Sequence, residues 1–445
     1  MKRALSFSYT RIIALGFFVT ILAGSLLLSL PVASRSGTGA DYITALFTAT
    51  SATCVTGLSV VDTYTQWSQF GQWVLLVLIQ IGGLGFMTVI TLFSMLLRRQ
   101  IGLRERKLLM QSAGSITLSG VVRLIRRVAL GTLLFEGVGT VLLAFRFCRD
   151  MGFWDGLFSA LFHAVSAFCN AGFDVLGRYA PGSSLALYAT DPLVILPIVF
   201  LILVGGLGFF VWNDLIACRG RFRALQLHSK LVLMTTGVLV LGGAVLFYLF
   251  ERGGSLAGMN AGESIMTSLF YSVTPRTAGF AVNTMQDMSE SGNLLTMILM
   301  LIGGSPGSTA GGIKTTTLVV LVMAAVASAR HTPQITVCKR RLEDKAVQQA
   351  VSITVIYLAM VLVSTMLLCA LQPFTMEQAM YEVISAVGTV GLSSGITASL
   401  NTLPKCVVML LMYAGRVGGL TLALVLAERR NVAPVDRPVD KIMIG

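Results

Sequence analysis

Charged side chains are scarce in this sequence, because Asp, Glu, Lys and Arg make up only 12% of it while hydrophobic residues make up 55%. A soluble globular domain usually carries about 25% charged residues. Catalytic and metal-binding signatures are also missing: there are three histidines, the seven cysteines form no CxxC pair, and HExxH does not occur. These absences argue against a soluble protein and against a zinc site or disulfide framework. We expect no enzyme activity and no cofactor bound to this chain.

The sequence contains several long apolar stretches. Each contains the roughly 20 residues that a helix needs to cross a bilayer. They run over Ile12 to Ser34, Thr63 to Leu97, Pro192 to Asn213, Leu231 to Phe250 and Ala346 to Met376. The first is long enough to span and further spans follow, so we interpret it as a helix rather than a cleaved signal peptide. The sequence therefore predicts an all-α integral membrane protein in contact with the lipid bilayer.

The net charge of +13 is unevenly distributed along the chain. Basic residues gather in segments that we place on one side of the membrane, between Arg98 and Arg127, Arg219 and Lys230, and Arg330 and Lys345. By the positive-inside rule this side is cytoplasmic. We therefore predict a multi-pass protein of the cell's inner (cytoplasmic) membrane with both termini in the cytoplasm. Because no soluble domain presents a basic face, nucleic acid is not an expected partner.

Acidic residues prevail in the segments assigned to the opposite, outer side. They include Asp41, Asp62, Asp155, Asp174 and Asp287. These carboxylates either enrich cations at an outer mouth or are ordinary solvated loop residues, and the sequence leaves both readings open.

Four similar stretches recur on the outer side, each between two apolar segments. They are LFTATSATCVTGL from Leu46 to Leu58, LFHAVSAFCNAGF from Leu161 to Phe173, LFYSVTPRTAGF from Leu269 to Phe280, and MYEVISAVGTVGL from Met380 to Leu392. All four align on one glycine that is followed by Leu or Phe, and all carry an aromatic residue near the start. A single such glycine would more often serve helix packing. Repetition of the whole pattern indicates an internal repeat.

Each of these stretches has only about ten apolar or small residues before its glycine, too few to cross a bilayer. A short helix that dips into the membrane and returns as extended chain fits this length. Four such segments around one axis would present carbonyl oxygens that replace the hydration shell of a cation, and glycine leaves the opening clear. We predict a selectivity filter for K⁺ or another monovalent cation, with ion binding at these residues only: Val55, Thr56, Gly57, Asn170, Ala171, Gly172, Thr277, Ala278, Gly279, Thr389, Val390 and Gly391.

The alignment predicts four tandem helix–pore loop–helix repeats around one pore, with eight transmembrane helices in all. The repeats are residues 1–97 (pore loop about 44–60), 98–218 (about 156–175), 219–329 (about 263–282) and 330–445 (about 377–395, followed by a cytoplasmic tail).

The second helix of the third repeat is predicted to be broken at about 303–317. Its Gly-Gly-Ser-Pro-Gly sequence opposes a continuous helix, and the spacing GxxxxGK[ST] of a phosphate loop is missing. Since small residues provide little side-chain packing, we expect a mobile constriction beneath the filter. Gating residues are predicted at Gly303, Gly304, Ser305, Gly307, Ser308, Thr309, Gly311, Gly312, Lys314 and Arg416.

Three ionisable residues fall inside the predicted spans. Arg416 lies in an otherwise apolar helix, where an arginine is costly and functional by default. It forms an electrostatic barrier below the filter, or it is a structural arginine bound to carbonyls such as those of the broken segment; the two roles can coexist. Lys314 is equally compatible with a cytoplasmic and a cavity-facing position. Glu136 is expected to pair with a pore-helix donor that the sequence does not identify.

The four glycine-centred loops, the GGSPGSTAGGIKT stretch from Gly303 and the GRVG sequence at Gly415 resemble the Trk/Ktr/HKT superfamily of K⁺ transporters over nearly the whole chain. The absence of extra spans before the Ile12 helix makes the chain more similar to the Ktr membrane subunit than to the longer Trk subunit. The resemblance implies K⁺ uptake by channel-like conduction, a homodimer with one pore per protomer, and control by a cytoplasmic nucleotide-binding subunit of RCK type. It leaves Na⁺ open as a coupling or activating ion. Gly419 departs from the family, which often has proline there.

A secondary transporter of another small solute, built on inverted repeats with discontinuous helices, is the alternative. The four repeats share one orientation, with each loop outside, which disfavours inversion. The basic run between Arg98 and Arg127 is either a docking surface for a regulatory partner or a set of charges that fixes the topology.

Overall fold

The computed structural model describes residues 9–85, 88–89, 121–332, 334–337 and 340–418. Helices dominate these residues, and the only strands among them, β1 (Thr336–Val337) and β2 (Arg340–Arg341), pair antiparallel. The α-helices are α1 (Tyr9–Leu28), α2 (Tyr42–Cys54), α3 (Thr63–Gln66), α4 (Gln69–Leu84), α5 (Val121–Met151), α6 (Phe153–Cys169), α7 (Pro192–Leu207), α8 (Phe209–Ala217), α9 (Leu227–Glu251), α10 (Ala261–Val273), α11 (Glu290–Leu301), α12 (Thr315–Ala329), α13 (Asp344–Leu371), α14 (Met376–Gly388) and α15 (Thr402–Val417). The predictions for the basic segment 98–120, for Gly419 and for the tail concern residues outside the described ranges.

A long helix, a short buried helix and a further helix follow one another four times. The short helices are α2, α6, α10 and α14, and each packs mainly against the long helix before it. Polar caps fix where three of them begin. Asp41 accepts a hydrogen bond from the amide of Thr44 at 3.3 Å, and Asn260 and Thr375 form capping boxes at α10 and α14. Such caps satisfy backbone donors that have no partner within the helix.

The aromatic residue near the start of each repeated stretch anchors its short helix in the apolar core. Phe47, Phe162, Phe270 and Tyr381 are all 3% exposed or less. Burial of a side chain of this size stabilises the fold by about 2–3 kcal/mol. The aromatic residue therefore recurs because each short helix packs a large side chain into the core at this position.

In the part of the chain that the structure describes, four helices are long and apolar enough to cross a membrane, namely those containing Arg11–Leu28, Ile125–Met151, Leu227–Glu251 and Lys345–Leu371. The pair α7 and α8, bent by 90°, would make a fifth span. Their outward surfaces are apolar: Leu133, Val238 and Met366 are 67%, 71% and 72% exposed. Large exposed apolar surfaces of this kind suit contact with lipid. The eight-helix topology and the repeat boundaries stay predictions.

Helix breaks are more frequent than the sequence suggested. The predicted break in the third repeat separates α11 from α12, but α4, α7 and α15 also end at glycines, Gly85, Gly208 and Gly418, with φ of 84°, 95° and 95°. Only glycine occupies this backbone region readily. The nearly identical IGGLGF sequence from Ile81 and VGGLGF sequence from Val204 therefore each contain a helix end.

Candidate functional site

The four short helices lead into the same uncommon backbone conformation. Val55, Asn170 and Thr389 cap α2, α6 and α14 with φ of 56°, 58° and 53°, and Thr277 in the third copy has φ of 72°. A left-handed conformation costs a non-glycine residue about 1–2 kcal/mol. Each of these residues lies two positions before the aligned glycine. The repeat is thus a repeat of backbone geometry as well as of sequence.

Hydrogen bonds from the returning chain to the helix end hold these turns. The amides of Thr56, Ala171 and Val390 each donate at 2.8 Å to the carbonyl of a serine one turn earlier, which is Ser51, Ser166 and Ser385 respectively. The hydroxyls of Ser51 and Ser385 also accept from the amides of Gly57 at 3.1 Å and Gly391 at 3.0 Å. In the third copy Thr274 takes this position and donates to the carbonyl of Phe280 at 2.5 Å. The serine hydroxyl therefore has a structural role in the first and fourth turns.

Gly57, Gly172, Gly279 and Gly391 meet around one point. A Cβ added to Gly57 would lie 2.5 Å from the carbonyl oxygen of Ala171, and one added to Gly172 would lie 2.8 Å from that of Ala278. Real Cβ atoms essentially never come within 3.0 Å of a neighbour in this way.

The same relation continues through the third and fourth segments and returns to the first. A Cβ on Gly279 would meet the carbonyl oxygen of Val390, and a Cβ on Gly391 would meet that of Thr56, both within 3.0 Å. The four segments therefore form a closed ring in which the carbonyl before each glycine faces the glycine of the preceding segment. All twelve residues predicted for the filter belong to these four segments.

A cavity of about 650 Å³ lies over this glycine ring, and we call it the outer cavity. All four glycines contribute to its lining. Three carboxylates from the segments assigned to the outer side, Asp62, Asp174 and Asp287, line it as well. The ring therefore opens into a space that three acidic residues make favourable for cations.

The carboxylate of Asp174 has a raised pKa. Burial raises its pKa to about 6, helped by the negative charge of Asp62, while a hydrogen bond from the amide of Leu176 at 3.1 Å acts in the opposite direction. Asp62 is fixed by the amides of Thr65 at 2.8 Å and Gly182 at 2.9 Å. Asp62 thus joins the first repeat to the loop after the second pore segment.

The residues between α11 and α12, 302–314, lie on the side of the ring opposite the outer cavity, and we call them the broken loop. The amides of Ser305 and Thr309 donate to the carbonyls of Gly206 at 3.0 Å and Gly205 at 3.3 Å. A Cβ on Gly311 would collide with the side chain of Thr389 in the fourth segment. The broken loop is therefore seated between the second repeat and the base of the fourth pore segment.

Arg416 joins the broken loop to the first repeat. Its guanidinium donates to the carbonyl of Thr309 in the loop and to the carbonyl of Gly82 in α4, with a longer contact of 3.3 Å to the carbonyl of Gly83. Charge-assisted hydrogen bonds of this type are about twice as strong as neutral ones. The carbonyl-bound arginine that the sequence offered as one alternative is the arrangement seen.

Lys314 ends the broken loop and points back into it. The ammonium donates to the carbonyls of Ala310 at 2.7 Å and Gly311 at 3.2 Å, and the side chain is half-buried. The sequence left open a cytoplasmic and a cavity-facing position; in the structure the ammonium group turns to the carbonyls of the loop itself. Two cationic side chains therefore engage the broken loop, one from within it and one from α15.

Glu136 has its main partner on a helix that the sequence did not indicate. Gln80 of α4 donates to its carboxylate at 3.2 Å, and the thiol of Cys169, at the end of α6, is 3.9 Å away. The expected pore-helix donor is therefore the weaker of the two contacts. His163 is fully buried and packs against the rings of Phe147, Phe162 and Phe280.

Glu382 is a site residue that sequence reasoning missed. It is fully buried in α14 and accepts hydrogen bonds from the hydroxyl of Ser393 at 3.0 Å, the amide of Ser394 at 3.2 Å and the hydroxyl of Thr397. These three residues line the outer cavity just after Gly391. The available signal was a carboxylate in the middle of the otherwise apolar MYEVISAV segment, because such a residue needs several donors to be buried.

Known proteins are similar to this chain over nearly its whole length. The profile of the TrkH family, described as cation transport protein, matches residues 11–433. The potassium/sodium uptake protein NtpJ of Enterococcus hirae is 40% identical, over 98% of this chain and 97% of its own length. The Ktr system potassium uptake protein B of Bacillus subtilis is 38% identical, over 97% of this chain and 96% of its own.

The fold has a solved counterpart. The potassium transporter TrkH from Vibrio parahaemolyticus superposes with a TM-score of 0.75 at 19% identity, covering 96% of this chain and 86% of that protein. The matched relatives are transporters and not enzymes, which agrees with the lack of catalytic signatures, and the superfamily resemblance is confirmed. With the family profile spanning most of its length, this membrane protein belongs to the TrkH family of cation transport proteins.

Proposed function

We propose that this protein takes up K⁺ across the cytoplasmic membrane by channel-like conduction through the glycine ring. The observation that carries the proposal is the closed order of the ring, in which the carbonyls of Thr56, Ala171, Ala278 and Val390 each face a glycine of a neighbouring segment. Carbonyl oxygens around one opening can replace the water shell of a monovalent cation. The names of the relatives, potassium uptake and potassium/sodium uptake proteins, agree with this cargo.

The four short helices add to cation preference. Each ends at the ring, so the partial negative charge of its C-terminus is directed to the place where an ion would bind. The twelve residues from Val55–Gly57, Asn170–Gly172, Thr277–Gly279 and Thr389–Gly391 would form the filter. No side chain needs to coordinate the ion, because the backbone supplies the ligands.

The broken loop and Arg416 would form the barrier on the inner side. The loop lies against the base of the fourth pore segment, and the arginine binds it to α4. Conduction would require the loop to move or the arginine to release a carbonyl. Hydrogen bonds from a charged donor are strong enough, at about 1.5–3 kcal/mol each, to make such a barrier significant and still reversible.

The assembly we propose has eight spans, both termini in the cytoplasm, a homodimer with one pore per protomer, and a cytoplasmic RCK-type regulatory subunit. The relatives from Bacillus subtilis are named as components of a Ktr system, which supports a multi-subunit arrangement. Na⁺ would act, if at all, as a coupling or activating ion, and the name of NtpJ motivates testing it.

Ion flux in vesicles tests this proposal. The purified protein is reconstituted with an inside-negative potential, which contributes about 2.3 kcal/mol per charge for each 100 mV. We expect K⁺ uptake that exceeds Na⁺ uptake and follows the potential, with no uptake in protein-free vesicles. Uptake that is independent of the potential, or accumulation of an organic solute without K⁺ flux, would favour the secondary transporter and overturn the proposal.

A further inference from the structure

A second cavity, of about 260 Å³, lies between α5 and α8 and shares no lining residue with the outer cavity. Its walls are almost entirely apolar, with Phe135 of α5 and Phe209, Trp212 and Ile216 of α8. Water gains little from such a site, because a buried water needs two to four polar partners. The cavity therefore suits an apolar occupant.

The geometry of α8 places this cavity at the membrane boundary. The chain turns by 90° at Gly208, so α8 runs across the direction of α7. If α7 crosses the bilayer, α8 lies near its plane and presents apolar side chains to its surroundings, such as Ile216, which is 69% exposed. Helices of this type lie in the interface with their apolar side among the acyl chains.

Leucines of α5 beside the cavity are open to the surroundings: Leu130, Leu133 and Leu134 are 58%, 67% and 63% exposed. Leu134 itself lines the cavity. The cavity therefore opens towards the same apolar surface that we assign to lipid, and an acyl chain could enter it laterally.

Arg127 lies at the polar end of the cavity. Its guanidinium donates to the side-chain oxygen of Asn213 at 2.6 Å, which uses one of its five N–H donors. Arg127 forms no ion pair with any residue in the described part of the chain. The positive-inside rule places this end in the cytoplasm, where the inner leaflet carries anionic headgroups. A planar guanidinium is well suited to bind a phosphate.

We propose that this cavity is a binding site for an anionic phospholipid, with one acyl chain lying along the wall that includes Leu134, Phe209 and Ile216 and the phosphate bound to Arg127. Charge and shape point to the same ligand, because the apolar cavity ends at the exposed guanidinium of Arg127 on a membrane-facing surface. The proposal does not depend on which ion the protein carries.

Photolabelling of the full-length protein tests the headgroup contact. The probe is phosphatidylglycerol with a diazirine on one acyl chain, mixed into phosphatidylcholine vesicles that contain the protein, and labelled peptides are mapped by mass spectrometry. We expect labels within residues 127–135 and 209–216, reduced about fivefold by Arg127→Gln. Arg126→Gln is the matched control, because Arg126 is adjacent and exposed but does not line the cavity. Unchanged labelling in Arg127→Gln, or equal labelling by a phosphatidylcholine probe, overturns the proposal.

Filling the cavity tests the acyl-chain contact separately. A Cβ on Gly131 would be 3.3 Å from the ring of Trp212, whereas a Cβ on Gly137, on the same helix, would have nothing within 4 Å. We expect Gly131→Leu to abolish labelling and Gly137→Leu to retain it, with both variants monodisperse in size-exclusion chromatography. Equal labelling of the two variants contradicts the proposal. A protein–protein cross-link at these peptides would assign the cavity to a second copy of the chain and would also contradict it.

Discussion

The carbonyl oxygen of Ala171 lies 2.5 Å from the position that a Cβ on Gly57 would occupy. A side chain at residue 57 must therefore displace the second pore segment, and the φ of 93° adds backbone strain. Because displacement changes the spacing of the carbonyl oxygens, we expect Gly57→Ser to lower the K⁺/Na⁺ flux ratio by about tenfold, which corresponds to about 1.4 kcal/mol. Paired K⁺ and Na⁺ uptake measurements in vesicles check this expectation.

Gly395→Ser is the matched control for that substitution. Gly395 also lines the outer cavity and has φ of 90°, but a Cβ there would have nothing within 4 Å. The control therefore imposes similar backbone strain without a collision in the ring. A similar loss of selectivity in both variants would attribute the effect to strain and contradict the filter assignment of Gly57.

Arg416→Ala is expected to raise K⁺ flux severalfold. The substitution removes the donors to the carbonyls of Thr309 and Gly82, so the broken loop is no longer joined to α4. Arg416→Lys should fall between wild type and Arg416→Ala, because a single ammonium does not reproduce the fork of a guanidinium. Flux is normalised to folded protein, since unpaired buried carbonyls cost about 1–3 kcal/mol each.

A change on the same helix but away from the loop provides the comparison. Lys405→Ala alters a charge near the start of α15, at the opposite end of the helix from Arg416, and should leave flux unchanged. Deletion within Gly303–Gly312 should raise flux as Arg416→Ala does. If neither the deletion nor Arg416→Ala raises flux, the inner-barrier role of the loop and the arginine is wrong.

The repetition of the four turns that meet at the glycine ring was predictable because each carries its own local signals. A glycine and an aromatic anchor recur in all four stretches and a serine in three of them, so four copies in order outweigh the ambiguity of each. The family assignment followed from the same residues and is confirmed. The meeting of Gly391 with Thr56, which closes the ring, could only be inferred from the assumption of symmetry.

The contact of Arg416 with the broken loop was one of the alternatives that the sequence offered, but its contact with the first repeat was not predictable. Arg416 and Gly82 are 334 residues apart, and nothing in either neighbourhood specifies the other. The bend at Gly208 was missed for a different reason: the Pro192–Asn213 run is continuous in hydropathy, and glycines within an apolar membrane helix often serve close helix packing instead of a break. Partners and bends of this kind depend on tertiary packing that local sequence does not record.

Glu382→Gln is expected to destabilise the protein and to lower the K⁺/Na⁺ flux ratio. The carboxylate accepts hydrogen bonds from Ser393, Ser394 and Thr397. Glutamine replaces one of the accepting oxygens with an NH₂ group, which would face these donors without being able to accept from them. A lost hydrogen bond to a charged group costs about 1.5–3 kcal/mol. Thermal unfolding at a fixed heating rate, together with the flux ratio, checks both effects.

The exposed Glu377, in the first turn of the same helix, is the control for Glu382. Glu377→Gln should change the free energy of unfolding by no more than about 0.5 kcal/mol, as surface substitutions usually do. Loss of stability in Glu382→Gln with an unchanged flux ratio would restrict Glu382 to a role in folding.

Asp174 should make K⁺ uptake depend on external pH. Because burial and the charge of Asp62 raise its pKa to about 6, the carboxylate is charged above that pH and becomes neutral as pH falls through it. Protonation removes one of three negative charges from the outer cavity, so the K⁺ concentration for half-maximal uptake should rise about twofold between pH 7.5 and pH 5 at low ionic strength. Asp174→Asn should show the higher value at both pH values, and added salt should reduce the difference. A wild-type response that persists unchanged in Asp174→Asn would place the titrating group elsewhere.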